Sequence, residues 1–146
     1  MQIKNQIQMS LQSLSDNVGV ARMAAATFSA QAAFTLGEID EIKVAISEAV
    51  SNAIIHGYGD DNGVVTFTMN LYEDSLEYIV EDTGVGIEDV AVAREPSYST
   101  DPERMGLGFA FMESFMDLLE VSSEPGKGTV VRMVKKFSTS SAKQVS

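Results

Sequence analysis

From Ile3 to Leu11 the apolar residues Ile3, Ile7, Met9 and Leu11 fall on odd positions with polar residues between them. That two-residue period predicts a half-buried strand. Ser15, Asp16 and Asn17 then offer N-cap chemistry, and the Ala-rich run from Val18 to Phe34 predicts a first helix of about four turns. Thr35 to Glu38 (TLGE) has the spacing of a capping box, in which a threonine hydroxyl and a later carboxylate satisfy backbone donors reciprocally. A second helix is predicted from there, with a core stripe of Ile39, Ile42, Ile46, Ala49 or Val50, and Ala53, ending near Gly57.

Beyond the turn GYGDDNG, the segments VVTFTMNLY and LEYIVED predict an antiparallel hairpin, with Val65, Phe67, Met69 and Leu71 on one face. Between Gly84 and Met105 the regularity stops. Two Pro, two Gly and many small polar residues predict a loop of about twenty residues with at most one short helix, a length that in a compact domain usually serves function. GFAFMESFMDLL resumes helical spacing, LEVSSEP and GTVVRMVKKF predict a last strand pair around Gly126 to Gly128, and STSSAKQVS is expected to be a disordered tail. The order of elements, βααββ, loop, αββ, favours an α+β fold over an alternating parallel one: a two-layer sandwich whose sheet, mixed or antiparallel, carries helices on one face.

Composition narrows the setting. A chain of 146 residues, 45% of them apolar, is expected to form a single core over residues 1–137. The formal net charge of −11 opposes condensation onto nucleic-acid phosphates or anionic lipid. With no cysteine, disulfides and thiolate metal sites are excluded. The N-terminus has no continuous apolar core of the signal-peptide kind and no stretch approaches membrane-spanning length, so a cytoplasmic protein is expected.

Two glycine clusters bracket the loop: DTGVGI at 82–87 and MGLGFAF at 105–111. Glycine lets backbone N–H groups approach a ligand closely, and the start of a helix favours an anion such as phosphate. Neither cluster is a familiar nucleotide fingerprint. Asp89 stands where the third glycine of the dinucleotide motif belongs. GKGT at 126–129 fails as a P-loop, because Val121 replaces its first glycine and Gly128 its Ser or Thr. Asp82 is more telling, since it ends an apolar strand directly before the glycines, where a carboxylate can accept from an exocyclic amine such as that of adenine. A strand-end Asp capping its own turn is the plainer alternative.

On the second helix Glu48, Asn52 and His56 recur every fourth residue and share one face. Taken singly, Glu48 reads as an exposed helical glutamate, Asn52 as a locally bonded amide, and His56 as a helix-end histidine meeting the last carbonyls.

Taken together, Glu48, Asn52 and His56, then DTGVGI, GLGF and GT at 128, are in order and spacing the four motifs of the Bergerat-fold ATP-binding family of histidine kinases, gyrase B subunits and related chaperones, which this chain resembles. Within it, EIKVAISEAVSNAIIHGY and GLGFAFMESFMDLLEVSSEPGKGT look most like the anti-sigma serine kinases of spore-forming bacteria, over residues 3–137. The resemblance implies ATP and Mg²⁺ as ligands. Glu48 matches the general base for a substrate serine and Asn52 the Mg²⁺ ligand. Asp82 matches the adenine-binding carboxylate, with Gly84 and Gly86 beside the base and Thr129 assisting. Gly106, Leu107 and Gly108 match the phosphate-cradling turn. The segment from Arg94 to Met105 matches an ATP lid whose Ser99, Thr100 and Arg104 reach the phosphates, although Asp101 stands where related kinases often carry lysine. Arg22 matches an arginine that contacts both partners: a sigma factor held inactive by an ATP-bound homodimer, and an anti-anti-sigma protein that is phosphorylated on serine.

Two other functions fit the same residues: a nucleotide-gated binding module without kinase activity, and an ATPase of the gyrase type. Retention of Glu48 favours the kinase, because an ATP sensor needs Asn52 and Asp82 but no base. A chain of 146 residues leaves no room for a transducer domain.

Overall fold

The computed structural model describes residues 2–60, 62–95 and 105–137. Ser99, Thr100 and Arg104, and the expected tail at 138–146, lie outside the described residues.

The first strand, β1 (Asn5–Gln12), leads into α1 (Asp16–Ser29) and α2 (Leu36–Asn52); a π-helical turn (Ala53–Tyr58) continues α2. The hairpin β2 (Val64–Leu71) and β3 (Ser75–Asp82) follows, then a single turn α3 (Val90–Ala93), α4 (Met105–Phe115), β4 (Leu118–Glu124) and β5 (Gly128–Lys136). The strands form one sheet in the order β1-β2-β3-β5-β4, and every adjacent pair is antiparallel.

Strand alternation sets the layers. Val65, Phe67 and Met69 of β2, Leu76, Tyr78 and Val80 of β3 and Val131 and Met133 of β5 are buried on the face that meets the helices. Ile42, Ala45, Ile46, Ala49 and Val50 of α2 press onto them, with α1 and α4 flanking α2 on either side. Burying these side chains supplies the main favourable term of the fold. The Tyr78 hydroxyl lies 2.6 Å from the Ser29 hydroxyl at the end of α1, so neither buried group is unpaired. Lys135, also buried, donates to the Phe115 carbonyl at 2.6 Å, satisfying the last turn of α4.

Among the described residues the opposite sheet face carries no helix and is held by polar side chains. Asn70 donates to Glu77 at 2.8 Å, Arg132 pairs with Glu77, and Arg132 also donates to Glu120 at 2.8 Å, linking β2 to β4. Burial alone would raise the Glu77 carboxyl, but the hydrogen bonds from Asn70, Arg132 and Tyr72 outweigh it and hold its pKa below the ordinary value.

Several element boundaries differ from the sequence pattern. Ile3 and Ile7 continue the odd-position period, yet both are exposed: Ile3 precedes β1 and Ile7 lies on the edge strand. The first helix stops at Ser29 and does not reach Phe34. The capping box is formed, with Glu38 N donating to Thr35 Oγ1 at 3.1 Å and Thr35 N donating to the Glu38 carboxylate at 2.8 Å. Its helix ends near Gly57 as expected, but through a change of form: past Asn52 the chain widens into the π turn and leaves it at Gly59, whose φ of +72° supplies the left-handed exit. The fourth helix covers 105–115, earlier than expected from GFAFMESFMDLL, and Leu118 and Leu119 already belong to β4.

Candidate nucleotide site

The site forms where α2 with its π turn, the end of β3, the start of α4 and the start of β5 converge. Its cavity has walls of Ala49, Ala53, Val80, Ile87, Phe109 and Val131. Polar groups enter from Asn52, His56, Asp82 and Thr129. Apolar walls with a few convergent polar groups are the usual make-up of a small-molecule site.

Asp82 and Thr129 meet because β3 and β5 pair them directly in register. The Asp82 carboxylate accepts from the Gly84 amide at 3.0 Å, and the Thr129 amide also draws on its charge. Burial pushes its pKa above the ordinary carboxylate value, against the pull of those two amides. Glycine is required around it. A Cβ at Gly57 would stand 2.9 Å from the Asp82 carboxyl carbon, and one at Gly84 would fall on the Gly57 carbonyl. Gly86 and Gly128 take φ of +77° and +99°, a region that L side chains rarely adopt.

The turn from Thr83 to Ile87 is fastened on both flanks. Tyr58 accepts from the Thr83 amide at 2.8 Å and donates to the Val64 carbonyl at 2.6 Å. Val85 N donates to the Gly57 carbonyl at 2.9 Å, and Gly126 N to the Val85 carbonyl at 2.7 Å. Ile87 N donates to Ser123 Oγ at 2.7 Å. Asp89, outside this turn, caps α3 by accepting from Val92 N at 3.2 Å.

Across the cavity, α2 faces the first turn of α4. Gly106 and Gly108 sit inside that turn and both are buried, while Leu107 is half-buried. A Cβ at Gly108 would lie 2.8 Å from Glu48 Oε1 and 3.5 Å from Asn52 Nδ2. The second glycine cluster therefore comes directly against the first two members of the Glu48, Asn52, His56 stripe. The amides of a first helical turn lack intrahelical acceptors, and the helix dipole adds positive potential there.

Asn52 Nδ2 and His56 Nε2 are buried without a hydrogen-bond partner among the described residues. Buried polar groups are ordinarily satisfied. These two line the cavity, and the unpaired Asn52 amide N–H fits a hydrogen-bond acceptor such as an oxygen of a bound nucleotide. His56 does not meet the helix-end carbonyls through this nitrogen. It stands on the wall shared with a second, more open hollow lined also by Gly86, Ile87, Glu88 and Asp89. Arg22 lies apart from the cavity on α1, where its guanidinium donates to the Ser47 hydroxyl at 3.3 Å, one residue before Glu48.

Sequence reading missed Gly57, Tyr58 and Ser123. Each acts through a partner distant in the chain, and only strand register or the π turn brings them together.

Comparison with known proteins agrees with this geometry. The family model described as the histidine kinase-like ATPase domain matches residues 11–135. An anti-sigma F factor of Clostridium acetobutylicum is 46% identical over 137 residues, which covers 92% of this chain and 96% of that protein. The chain belongs to the anti-sigma F factor family. Another member, from Clostridium perfringens, is 47% identical over 138 residues, 92% of this chain and 99% of its own length. The solved RsbU and RsbW domains of a Mycobacterium tuberculosis protein share the fold, with a TM-score of 0.65 at 20% identity, covering 91% of this chain and 32% of that one. The family carries an ATP-binding domain of the kinase type, and no helix among the described residues is long and apolar enough to cross a membrane.

Proposed function

We propose that the protein is an anti-sigma factor that binds ATP with Mg²⁺, holds a sporulation sigma factor of the sigma F type inactive, and phosphorylates a serine of its anti-anti-sigma antagonist. The observation that carries the kinase reading is the convergence of Glu48, Asn52 and Gly108 at the start of α4.

Each residue then has one task. Asp82 accepts from the amino group of adenine, which lies against Gly84 and Gly86 with Thr129 beside it. The amides of Gly106, Leu107 and Gly108 donate to phosphate oxygens. Asn52 would hold Mg²⁺, which would supply neutralisation of the charge that develops in transfer. Glu48 accepts the proton of the substrate serine hydroxyl. The serine oxygen forms its bond to the γ-phosphorus as the bond to the β-phosphate oxygen breaks, giving ADP and phosphoserine. Ser99, Thr100 and Arg104 complete the phosphate contacts, and Arg22 is the partner contact on the helix layer close to Glu48. A homodimer provides the sigma-binding form.

Titration with ATP by calorimetry, in the wild type and in Asp82→Asn, tests the nucleotide assignment. The variant is expected to bind ATP at least tenfold more weakly, the worth of about one charge-assisted hydrogen bond. Unchanged affinity would remove Asp82 from the site. Capture of purified sigma F with ATP present, and its loss on mixing with the antagonist protein, tests the partner assignment.

A further inference from the structure

The Ser123 hydroxyl has three neighbours. Ile87 N donates to it at 2.7 Å, the Gly128 carbonyl lies 2.9 Å away and Thr129 Oγ1 2.8 Å away. Strand register places it there, since β4 and β5 pair Ser123 directly with Thr129. Valence settles how the protons run. A carbonyl only accepts, so the one arrangement in which all three contacts are hydrogen bonds sends the single Ser123 proton to Gly128. One Ser123 lone pair takes the Ile87 amide, and the other is left for the Thr129 proton. Thr129 is thereby turned into a donor toward Ser123, away from the cavity that it lines beside Asp82. Asp82, which already accepts the Gly84 amide, also lines that cavity as an acceptor.

We infer that Ser123 is a positioning residue of the purine subsite: by holding the Thr129 proton, it leaves the cavity floor with acceptors only, so that the site takes a 6-amino purine and rejects a 6-oxo one. A 6-amino group brings donors to Asp82 and Thr129. A 6-oxo group brings an acceptor against two acceptors, and a buried polar mismatch of that kind discriminates strongly. Without the Ser123 hydroxyl, the Thr129 hydroxyl rotates freely and donates to a 6-oxo group. The inference rests on the adenine-nucleotide reading of the cavity.

The test measures dissociation constants for ATP and inosine triphosphate, which differ at the purine 6-position and its adjoining ring nitrogen. The chains compared are wild type, Ser123→Ala, Thr129→Val and the double variant, each checked for folding by circular dichroism. The preference for ATP is expected to narrow by about tenfold in Ser123→Ala, the worth of one hydrogen bond. It is expected to narrow likewise in Thr129→Val, and the double variant is expected to match Thr129→Val. Equal weakening of both nucleotides in Ser123→Ala, or an undiminished preference in Thr129→Val, overturns the inference while leaving the nucleotide site standing. A wild-type chain that binds neither nucleotide overturns both. Should Ser123→Ala fail to fold, Ser123→Cys carries the same comparison, because its weak thiol loosens the hold on Thr129 without opening a gap.

Discussion

The carboxylate of Asp82 rests against the backbone of Gly57, at the point where α2 has widened into its π turn. No side chain fits between them, since a Cβ at Gly57 would stand 2.9 Å from both Asp82 Cγ and Oδ1. Gly57→Ala is therefore expected to cost about 1–3 kcal/mol of stability, the usual penalty for overpacking a buried site. It is also expected to weaken ATP binding by displacing Asp82. Urea denaturation and calorimetry on the same preparation check the two effects, and an alanine variant of wild-type stability and affinity would refute the contact.

Gly108 predicts the opposite balance. The nearest atom to its missing Cβ is the far end of a flexible glutamate, Glu48 Oε1 at 2.8 Å, and Gly-to-Ala inside a helix ordinarily gains about 1 kcal/mol. Gly108→Ala is expected to keep or raise the melting temperature while phosphate transfer falls by an order of magnitude or more as Glu48 is pushed aside. Loss of folding, or transfer at the wild-type rate, would contradict the placement of Glu48.

Acid sensitivity follows from Glu77. Its folded pKa lies below the ordinary value of 4.5, so its contribution to stability is complete above about pH 4.5 and is lost as pH falls through the lower folded value. Stability measured by denaturant between pH 6 and pH 3 is expected to decline more steeply in the wild type than in Glu77→Gln. Parallel curves would mean that the Asn70, Glu77, Arg132 network carries no such linkage.

What the sequence made legible was local. The Thr35 and Glu38 capping box forms as the four-residue spacing predicts, and Val65, Phe67 and Met69 share the buried face that alternation assigned them. The order of elements and the place of Asp82 at a strand end also follow from the chain alone. Helix ends were not legible. The π turn past Asn52 packs against β3 and β5, which are distant in the chain, and the early start of α4 puts two glycines in a helical turn that helix propensity disfavours. Ser123 read as one of two serines in an exposed strand, because its role depends on pairing with Thr129 and on a turn 36 residues earlier. His56 reads from the sequence as a helix-end histidine at the edge of the site, and its Nε2 is buried at the cavity without a partner among the described residues.

The central claim, that Glu48 serves as base for transfer to a protein serine, is tested most directly by Glu48→Gln in a single-turnover assay with labelled ATP and the anti-anti-sigma protein. The account predicts ATP affinity and sigma binding within about twofold of wild type, and a transfer rate lower by about a hundredfold or more. Transfer to serine at a near wild-type rate would contradict it.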